Sequence, residues 1–447
     1  MAKSDFALNL LHDLLAKARG AGAEAADALM VESTSLAASW RLGKPEDLER
    51  SESNDVGLRV LIGHRQAVVS STDIQESALD ELVERAVAMA RAVPEDAYCG
   101  LAERQMLATE VPDLDLCDPH EPTVERLTEL AAAAEDAAMS VEGITNSEGG
   151  TASWSRNRVT LANTDGFGGS YPTSQFGISA SVVAGSGTQM ERDYEYMIAR
   201  YGSELVSPAE IGRRAGERAV KRLNPRRVKS CQVPVVFDPR VSNGFLRLLA
   251  GAIAGPAIAR GTSFLKDKMG KRIFAPGTVI VDDPHRPRGL ASKPFDGEGV
   301  ATVHRNIVED GNLLTWLLDA RSARQLNLPT TGHAARSTDS TPSPAPTNLY
   351  MEPGEDSPEA LIAAIDDGFY ITEMMGMSFN AVTGDYSRGA AGFWIEKGEI
   401  AYPVSGLTVA GNILQMFPKM TPANDLVFRY GINVPTLRVD GMTVAGS

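Results

Sequence analysis

The sequence predicts an α+β fold in two parts: N-terminal helices packed on a mixed or antiparallel sheet, then a C-terminal β-rich, barrel-like domain with few helices. Two observations predict it. Residues 1–225 alternate between apolar side chains at helical spacing and apolar side chains at every second position. Residues 226–447 consist mostly of hairpin patterns. We therefore place a domain boundary at Asn224 and Pro225, and a further split of the first part near residues 120–140 stays open.

The first part opens with a helix, because Leu8, Leu11 and Leu15 recur at helical spacing before Gly20. Its last helix starts with Ser-Pro-Ala-Glu at 207–210, a capping box with proline at the first helical position. This order of helices and strands predicts helices on one side of a sheet. The predicted helices cover about residues 4–20, 77–92, 122–139 and 207–224, and the predicted strands cover residues 25–36, 56–62, 67–71, 154–162 and 176–184.

The second part begins with a short buried strand and a helix, and then consists mostly of hairpins. Residues 329–348 form a long, polar, proline-rich loop, and loops of this length inside a domain are usually functional or disordered. An interface or the wall of a peptide channel is one interpretation of this loop, and simple exposure to solvent is the other. The predicted elements are a strand at 232–237, helices at 241–254 and 357–368, and hairpins that join 301–308 to 313–318 and 392–395 to 399–403.

Composition indicates a soluble protein of the cytoplasm that binds neither nucleic acid nor membrane. The chain has 43 Lys and Arg against 58 Asp and Glu, a net charge of −15, whereas a protein that neutralises a phosphate backbone normally carries the opposite sign. Three separated cysteines, Cys99, Cys117 and Cys231, fit reduced thiols. The longest apolar run, residues 248–259, is too short to cross a bilayer, and the N-terminus shows no apolar signal core.

The usual catalytic motifs are missing, so we nominate no catalytic, cofactor-binding or metal-binding residue. No two of the six histidines lie within five residues of each other, so no helical turn presents a pair of imidazoles to a metal. His120 and Glu121 resemble half of a zinc-protease motif, but Pro122 follows directly and a helix entry explains them better. Gly-Met-Ser at 376–378 lacks the closing glycine of a nucleophile elbow.

Segments throughout the chain resemble the TldD/PmbA family. The order and coverage of these segments carry the resemblance, and no single one is decisive. They are residues 49–60, 70–73, 161–167 (Leu-Ala-Asn-Thr-Asp-Gly-Phe), 260–263 (Arg-Gly-Thr-Ser), 282–284, 296–299 (Asp-Gly-Glu-Gly), 347–354 (Thr-Asn-Leu-Tyr-Met-Glu-Pro-Gly) and 434–446.

The resemblance identifies the PmbA kind of member, also called TldE. The TldD kind holds zinc with a His-Glu-x-x-x-His helix and a cysteine near the C-terminus. Counted back from residues 260–263, the two histidine positions fall on Leu246 and Gly251, give or take a residue, and the glutamate position falls near Arg247. None of these side chains offers a metal a lone pair. The cysteine is missing too, since residues 425–431 run directly into the final strand.

The resemblance implies a non-catalytic subunit of a heterodimeric, cytoplasmic zinc metalloprotease that degrades or trims unfolded peptides and leader-bearing precursors. This pseudoenzyme subunit would hold no cofactor itself, and the zinc would lie in a TldD-like partner. From the residues alone, two other functions stay open. The chain could be a self-sufficient hydrolase that uses no metal, or a binding or regulatory homodimer with no proteolytic role.

Overall fold

The computed structural model describes residues 2–446. Its N-terminal part, residues 2–225, and its C-terminal part, residues 226–446, contact each other along an interface that we call the seam, where for example Arg336 binds Asp27. Helices occur in both parts, and the longest are in the N-terminal one. In chain order they are α1 (Ala2–Gly20), α2 (Glu76–Ala92), α3 (Val124–Met139), α4 (Pro208–Lys221), α5 (Pro239–Ala252), α6 (Gly255–Ala259), α7 (Ala320–Leu326), α8 (Pro358–Ala363) and α9 (Ile413–Met416).

Strands of the N-terminal part are long, and several strands of the C-terminal part contain only two or three residues. In chain order they are β1 (Ala25–Arg41), β2 (Lys44–Ile62), β3 (Arg65–Ser71), β4 (Ile144–Asn163), β5 (Gly168–Ala184), β6 (Glu191–Ala199), β7 (Cys231–Phe237), β8 (Ile280–Asp282), β9 (Arg305–Glu309), β10 (Asn312–Leu313), β11 (Ala334–Ala335), β12 (Ser343–Pro344), β13 (Leu349–Met351), β14 (Asp367–Phe379), β15 (Asp385–Glu396), β16 (Glu399–Asn412), β17 (Met420–Pro422), β18 (Ile432–Asn433) and β19 (Leu437–Ala445).

The N-terminal sheet has the order β3-β2-β1-β4-β5-β6 and every pair in it is antiparallel. The prediction of a mixed or antiparallel sheet is therefore confirmed in its antiparallel form. Helices cover one face, as predicted: Ala28 of β1 packs in a core with α1 and α2, and Leu36, eight residues further on the same face, packs with α3. The opposite face of β1 carries Asp27 and Leu29, which turn toward the C-terminal part.

Helices α3 and α4 pack unusually closely because α4 carries glycine at the contact. A Cβ built on Gly212 would lie 2.0 Å from the carbonyl oxygen of Ala134 on α3. The helix itself starts as predicted, since the side chain of Ser207 accepts a hydrogen bond from the amide of Glu210 at 3.2 Å, with Pro208 at the first position. Helix α4 also packs on β5 and β6, and Arg222 at its C-terminal end binds Glu373 of β14 in the C-terminal part.

The C-terminal part contains a closed barrel, which confirms the predicted barrel-like domain. Strands β16-β15-β14-β7-β19 follow one another, and β19 pairs with β16 to close the ring. Its interior is apolar, with Phe237 of β7, Leu249 of α5 and Phe369 of β14 completely buried. A second sheet, β10-β9-β8-β13-β18, lies beside the barrel and shares its core.

One predicted helix differs in extent from the observed one. The helix predicted at 357–368 ends at Ala363, because Gly368 already belongs to β14 and pairs with Ile395 of β15. The helix predicted at 241–254 corresponds to α5, and a second short helix, α6, follows after a break at Ile253 and Ala254. Within the described residues, no helix is both long enough and apolar enough to cross a lipid bilayer.

The loop at 329–348 packs against the N-terminal sheet, so simple solvent exposure was the wrong interpretation for much of it. His333, Thr347 and Asn348 are buried, and the buried guanidinium of Arg336 binds the carboxylate of Asp27 on β1. The loop is thus an interface between the two parts of this chain. The connection from Lys221 to β7 crosses the same seam, and a domain boundary at 224–225 stays a prediction.

Candidate functional site

Helix α5 carries the positions at which the family resemblance locates a metal-binding helix. It begins directly after β7, and the side chain of its N-cap Asp238 accepts a hydrogen bond from the amide of Arg240 at 2.9 Å. Pro239 occupies the first helical position. One face of the helix, with Phe245 and Leu249, is buried in the barrel core.

The three positions of interest lie on different sides of α5. Leu246 is completely buried, whereas Arg247 and Gly251 are exposed. A Cβ built on Gly251, or on Gly244 two turns earlier, would meet no atom within 4 Å. Neither Leu246 nor Gly251 has a side-chain lone pair, and the guanidinium of Arg247 would repel a dication. These residues therefore do not fit the zinc ion that the family resemblance implies for its other kind of member.

The segment at 425–431, where the resemblance locates the cysteine of the zinc-binding kind, is held by polar contacts to both parts of the chain. Asp425 accepts hydrogen bonds from the amide and the hydroxyl of Thr436 at 2.8 and 2.7 Å. Arg429 reaches Glu195 of β6, and the ring of Tyr430 lies 5.7 Å from that of Tyr196. Within the described chain, no group of three or more His, Cys, Asp or Glu side chains is arranged to hold a metal ion.

A cleft runs along the seam beside the N-terminus of α5. It consists of two adjoining cavities of about 220 and 500 Å³ that share Arg218, Asp238 and Arg240. The segment around Asp425 and Tyr430 lines the smaller cavity. Aromatic and apolar side chains of the barrel strands line the larger one, namely Tyr370, Phe393, Ile400 and Tyr402. Such a mixture of apolar walls and a few charged groups is typical of ligand-binding clefts.

Ion pairs fix the charged groups of this cleft. Arg240 binds Asp193 of β6 at 2.9 Å and Asp238 at 3.3 Å. Burial opposes the charged form of Arg240, but the two carboxylates outweigh it and raise the pKa of the guanidinium. Tyr370 donates a hydrogen bond to Asp238 at 2.8 Å, and burial, followed by the Asp238 carboxylate, raises the pKa of Tyr370. The cleft therefore keeps a cationic Arg240 and a protonated Tyr370 at neutral pH.

Thr331, His333 and Asp282 lie next to each other and have the residue types of a catalytic triad. Such a triad is what a self-sufficient hydrolase would need. A ring nitrogen of His333 lies 3.2 Å from Asp282, and the other lies 2.8 Å from the hydroxyl of Thr331. His333 and Asp282 are both buried. The Thr331 hydroxyl already accepts a hydrogen bond from the Leu318 amide at 2.7 Å. The trio ties a loop to β8 and offers a substrate no open nucleophile.

The other side chains considered from sequence lie apart from the cleft or are unsuited to chemistry. His120 is exposed in the connection before α3, and Ser378 is exposed on β14. Burial raises the pKa of Cys99 and of Cys231, which disfavours their thiolates. Sequence reasoning missed the cleft itself, because Asp193 and Arg240 belong to separate elements. The signal available was an acidic residue in a segment with a strand pattern and an arginine directly before the helix predicted at 241–254.

Models of one protein family match most of the chain. They are described as PmbA/TldA metallopeptidase domain 1, central domain and C-terminal domain, and they match residues 26–90, 117–223 and 230–446. Among curated proteins, Metalloprotease PmbA of Escherichia coli O157:H7 is 38% identical over 435 residues, which cover 97% of this chain and 94% of that protein. The Metalloprotease PmbA homolog of Haemophilus influenzae is 37% identical over 436 residues, with the same two coverages of 97% and 94%.

Solved structures share the fold over nearly the full length. A structure from Bacteroides thetaiotaomicron, described as a candidate modulator of DNA gyrase, has a TM-score of 0.91 and 25% identity, with 98% of each chain covered. The crystal structure of TldE from Thermococcus kodakarensis has a TM-score of 0.86 and 20% identity, and covers 98% of this chain and 100% of that one. The second likeness concerns the fold alone.

Proposed function

The chain belongs to the PmbA/TldD metallopeptidase family, and from that premise we propose that it is the non-hydrolytic, TldE-type subunit of a cytoplasmic, two-subunit zinc metalloprotease. Its partner is a TldD-like chain that holds the zinc and the catalytic glutamate. The complex degrades or trims unfolded peptides and leader-bearing precursors. One observation carries the proposal: α5 presents Leu246, Arg247 and Gly251 where a metal-binding helix needs two imidazoles and a carboxylate.

Two relatives from a single organism support the pairing. Haemophilus influenzae has a Metalloprotease PmbA homolog that is 37% identical to this chain over 97% of its length. It also has a Metalloprotease TldD homolog that is 27% identical over 233 residues, only 48% of this chain. The same two kinds occur in Buchnera aphidicola from Acyrthosiphon pisum. Both kinds of chain therefore occur together in two organisms, which is what a pairing of a zinc-bearing with a supporting subunit requires.

Co-expression with a TldD-like chain from the same source tests the proposal. We expect the two chains to co-purify in equal amounts, with about one zinc per pair and none in this chain alone. Hydrolysis of an unstructured peptide should require the zinc-bearing chain. A partner variant with its two histidines changed to alanine is the control, since it should assemble and cleave nothing. Zinc-dependent cleavage by this chain alone would overturn the proposal.

The two alternatives predict different outcomes in the same experiment. A self-sufficient hydrolase would cleave the peptide in the presence of a chelator and without the partner. A regulatory homodimer would elute as a dimer that the TldD-like chain does not displace. We expect neither result, although a homodimer in the absence of the partner is compatible with the proposal. Mass measurement by light scattering, with and without the partner, distinguishes displacement from independent assembly.

A further inference from the structure

A small pocket on the seam is lined by three arginines and only one acidic residue. The end of β6 and the following residues form one wall, with Arg200 and Glu204, and the turn that contains Arg286 and Arg288 forms another. Phe428 closes a third side. The cavity measures about 240 Å³, which admits a group of a few heavy atoms. It is separate from the positions on α5, and no step of the proposed function uses it.

Arg200 is a buried cation without an acidic partner in the described chain. Its side chain donates hydrogen bonds to the carbonyl oxygens of Gly289, Leu290 and Ser174 at 3.3, 2.7 and 3.1 Å. Only 7% of the residue is exposed. A buried charge is normally paired as well as hydrogen-bonded, because carbonyl dipoles do not neutralise it. Burial accordingly lowers the pKa of Arg200. An anion beside Arg200 would offset the free-energy cost of burying this charge without an acidic partner.

Arg286 holds a second guanidinium at the pocket in a fixed orientation. Its guanidinium carbon lies 3.4 Å from the centre of the Phe428 ring, and the edge-on ring of Tyr350 supports Phe428 at a centroid distance of 5.0 Å. The Arg286 guanidinium makes no ion pair or hydrogen bond with another described side chain. Stacking on an aromatic ring leaves the in-plane N–H groups of an arginine free to bind a ligand.

The third arginine is already neutralised. Arg288 binds Asp115 at 2.6 Å and Glu204 at 3.0 Å, and its guanidinium lies over the ring of Tyr201. Since Glu204 is thereby engaged, Arg200 and Arg286 remain as the uncompensated charges of the pocket. Two positive charges at the edge of a small cavity favour an anion, and a guanidinium group binds carboxylates and phosphates well because it can donate two parallel hydrogen bonds to two of their oxygen atoms.

We propose that this pocket binds a small oxyanion, a carboxylate or a phosphate group, held by the Arg286 guanidinium and the positive field of Arg200. Both groups present oxygen atoms at the spacing that a guanidinium recognises. The ligand bridges the two parts of the chain, because Arg200 follows β6 whereas Arg286 and Phe428 belong to the C-terminal part. Binding should therefore also stabilise the seam.

Calorimetric titration of the full chain tests this site. One arm uses inorganic phosphate, and the other uses an acetylated dipeptide with a free carboxylate, with its amidated form as the neutral probe. We expect one site for phosphate, for the carboxylate or for both, a rise in melting temperature on saturation, and no binding of the amide. Binding of one anion and not the other identifies the source of the oxyanion. If neither anion binds with a dissociation constant below about 10 mM, the proposal is wrong.

Two variants locate the binding. Arg286→Gln should weaken it about tenfold, because it removes one charge-assisted contact and leaves the backbone of the turn unchanged. Arg272→Gln is the matched control, since Arg272 is an exposed arginine paired with Asp310 elsewhere in the C-terminal part. Phe428→Leu, which removes the stacking ring, should weaken binding as well and serves if the first variant does not fold. Equal affinities in all four proteins would show that the anion binds elsewhere. Neither result depends on a zinc-bearing partner.

Discussion

Arg240, the second residue of α5, binds Asp193 of β6 at 2.9 Å, and this contact joins the helix of greatest functional interest to the N-terminal sheet. Both side chains are largely buried, at 9% and 3% exposed. Asp193 also binds Arg222 at the end of α4, at 3.4 Å. The carboxylate of Asp193 thus binds two arginines, one from each part of the chain. These ion pairs hold the N-terminal end of α5 against β6.

Asp193→Asn should destabilise the protein by about 3 kcal/mol, because two largely buried guanidinium groups each lose one charged partner. Arg240 then keeps Asp238, and Arg222 keeps Glu191 and Glu373. The amide has nearly the same size as the carboxylate, so packing is preserved and the loss is electrostatic. Unfolding in urea, followed by circular dichroism, measures the free energy of unfolding.

Arg213→Gln is the control for that measurement. Arg213 forms exposed ion pairs with Glu210 and Glu217 on α4, and exposed pairs contribute about 0.5 kcal/mol or less. We expect the two variants to differ by at least about 2 kcal/mol. Equal stabilities would mean that the Asp193 pair does not hold the seam.

Replacement of a glycine by alanine should lower the stability of the protein in α4 and raise it in α5. Gly212→Ala should cost about 2 kcal/mol, because the added methyl would lie 2.0 Å from the Ala134 carbonyl oxygen and must push α3 and α4 apart. Gly244→Ala should stabilise by about 0.5 to 1 kcal/mol, since its position in α5 is open and alanine restricts the unfolded chain. Thermal unfolding of both variants checks the signs. A Gly244→Ala variant that unfolds more easily would show that the open face of α5 is already covered, for example by a second copy of the chain.

Local signals predicted the helices and strands well where local interactions decide them. The capping box at Ser207 is an example, because a side-chain oxygen and a proline at the first position suffice to start a helix. The helix capped by Ser357 forms as predicted, but its predicted end at Gly368 was wrong, because pairing with β15 outweighs helix propensity there. The hairpin predicted at 301–318 is shorter than expected. The amide of Leu317 donates its hydrogen bond to the carbonyl oxygen of Ile253, which follows α5, and not to the opposite strand of the hairpin.

The cleft and the anion pocket could not be predicted, because their residues are distant in sequence. Asp193 and Arg240 are 47 residues apart, and the pocket joins Arg200 to a turn 86 residues later. Neither a periodicity nor a spacing links such residues. Sequence resemblance located α5 as the helix of interest, but only the packing shows that Leu246 faces the core while Gly251 is open. Family resemblance therefore predicts which positions of the sequence are of interest, whereas the tertiary structure is needed to show in which direction their side chains point.

A buried carboxyl group makes the stability of the seam depend on pH. Glu298 is 4% exposed, accepts a hydrogen bond from the amide of Ala320 at 2.8 Å, and lies 3.7 Å from Arg59 of β2. Burial raises the pKa of Glu298 from 4.5 to about 8, and Arg59 opposes this only in part. Between these two pH values the folded chain holds a proton that the unfolded chain has released.

Glu298 therefore contributes stability that is complete below pH 4.5 and is lost as the pH rises toward about 8. Glu298→Gln keeps an acceptor for Ala320 but cannot titrate, so the free energy of unfolding of this variant should fall less between about pH 5 and 8 than that of the unmodified protein. Glu399→Gln, which changes an exposed side chain of β16, is the control and should keep the original slope. Urea unfolding at about five pH values in this range measures the three slopes. If the Glu298→Gln variant and the unmodified protein lose stability in parallel, Glu298 is ionised throughout and its pairing with Arg59 outweighs its burial.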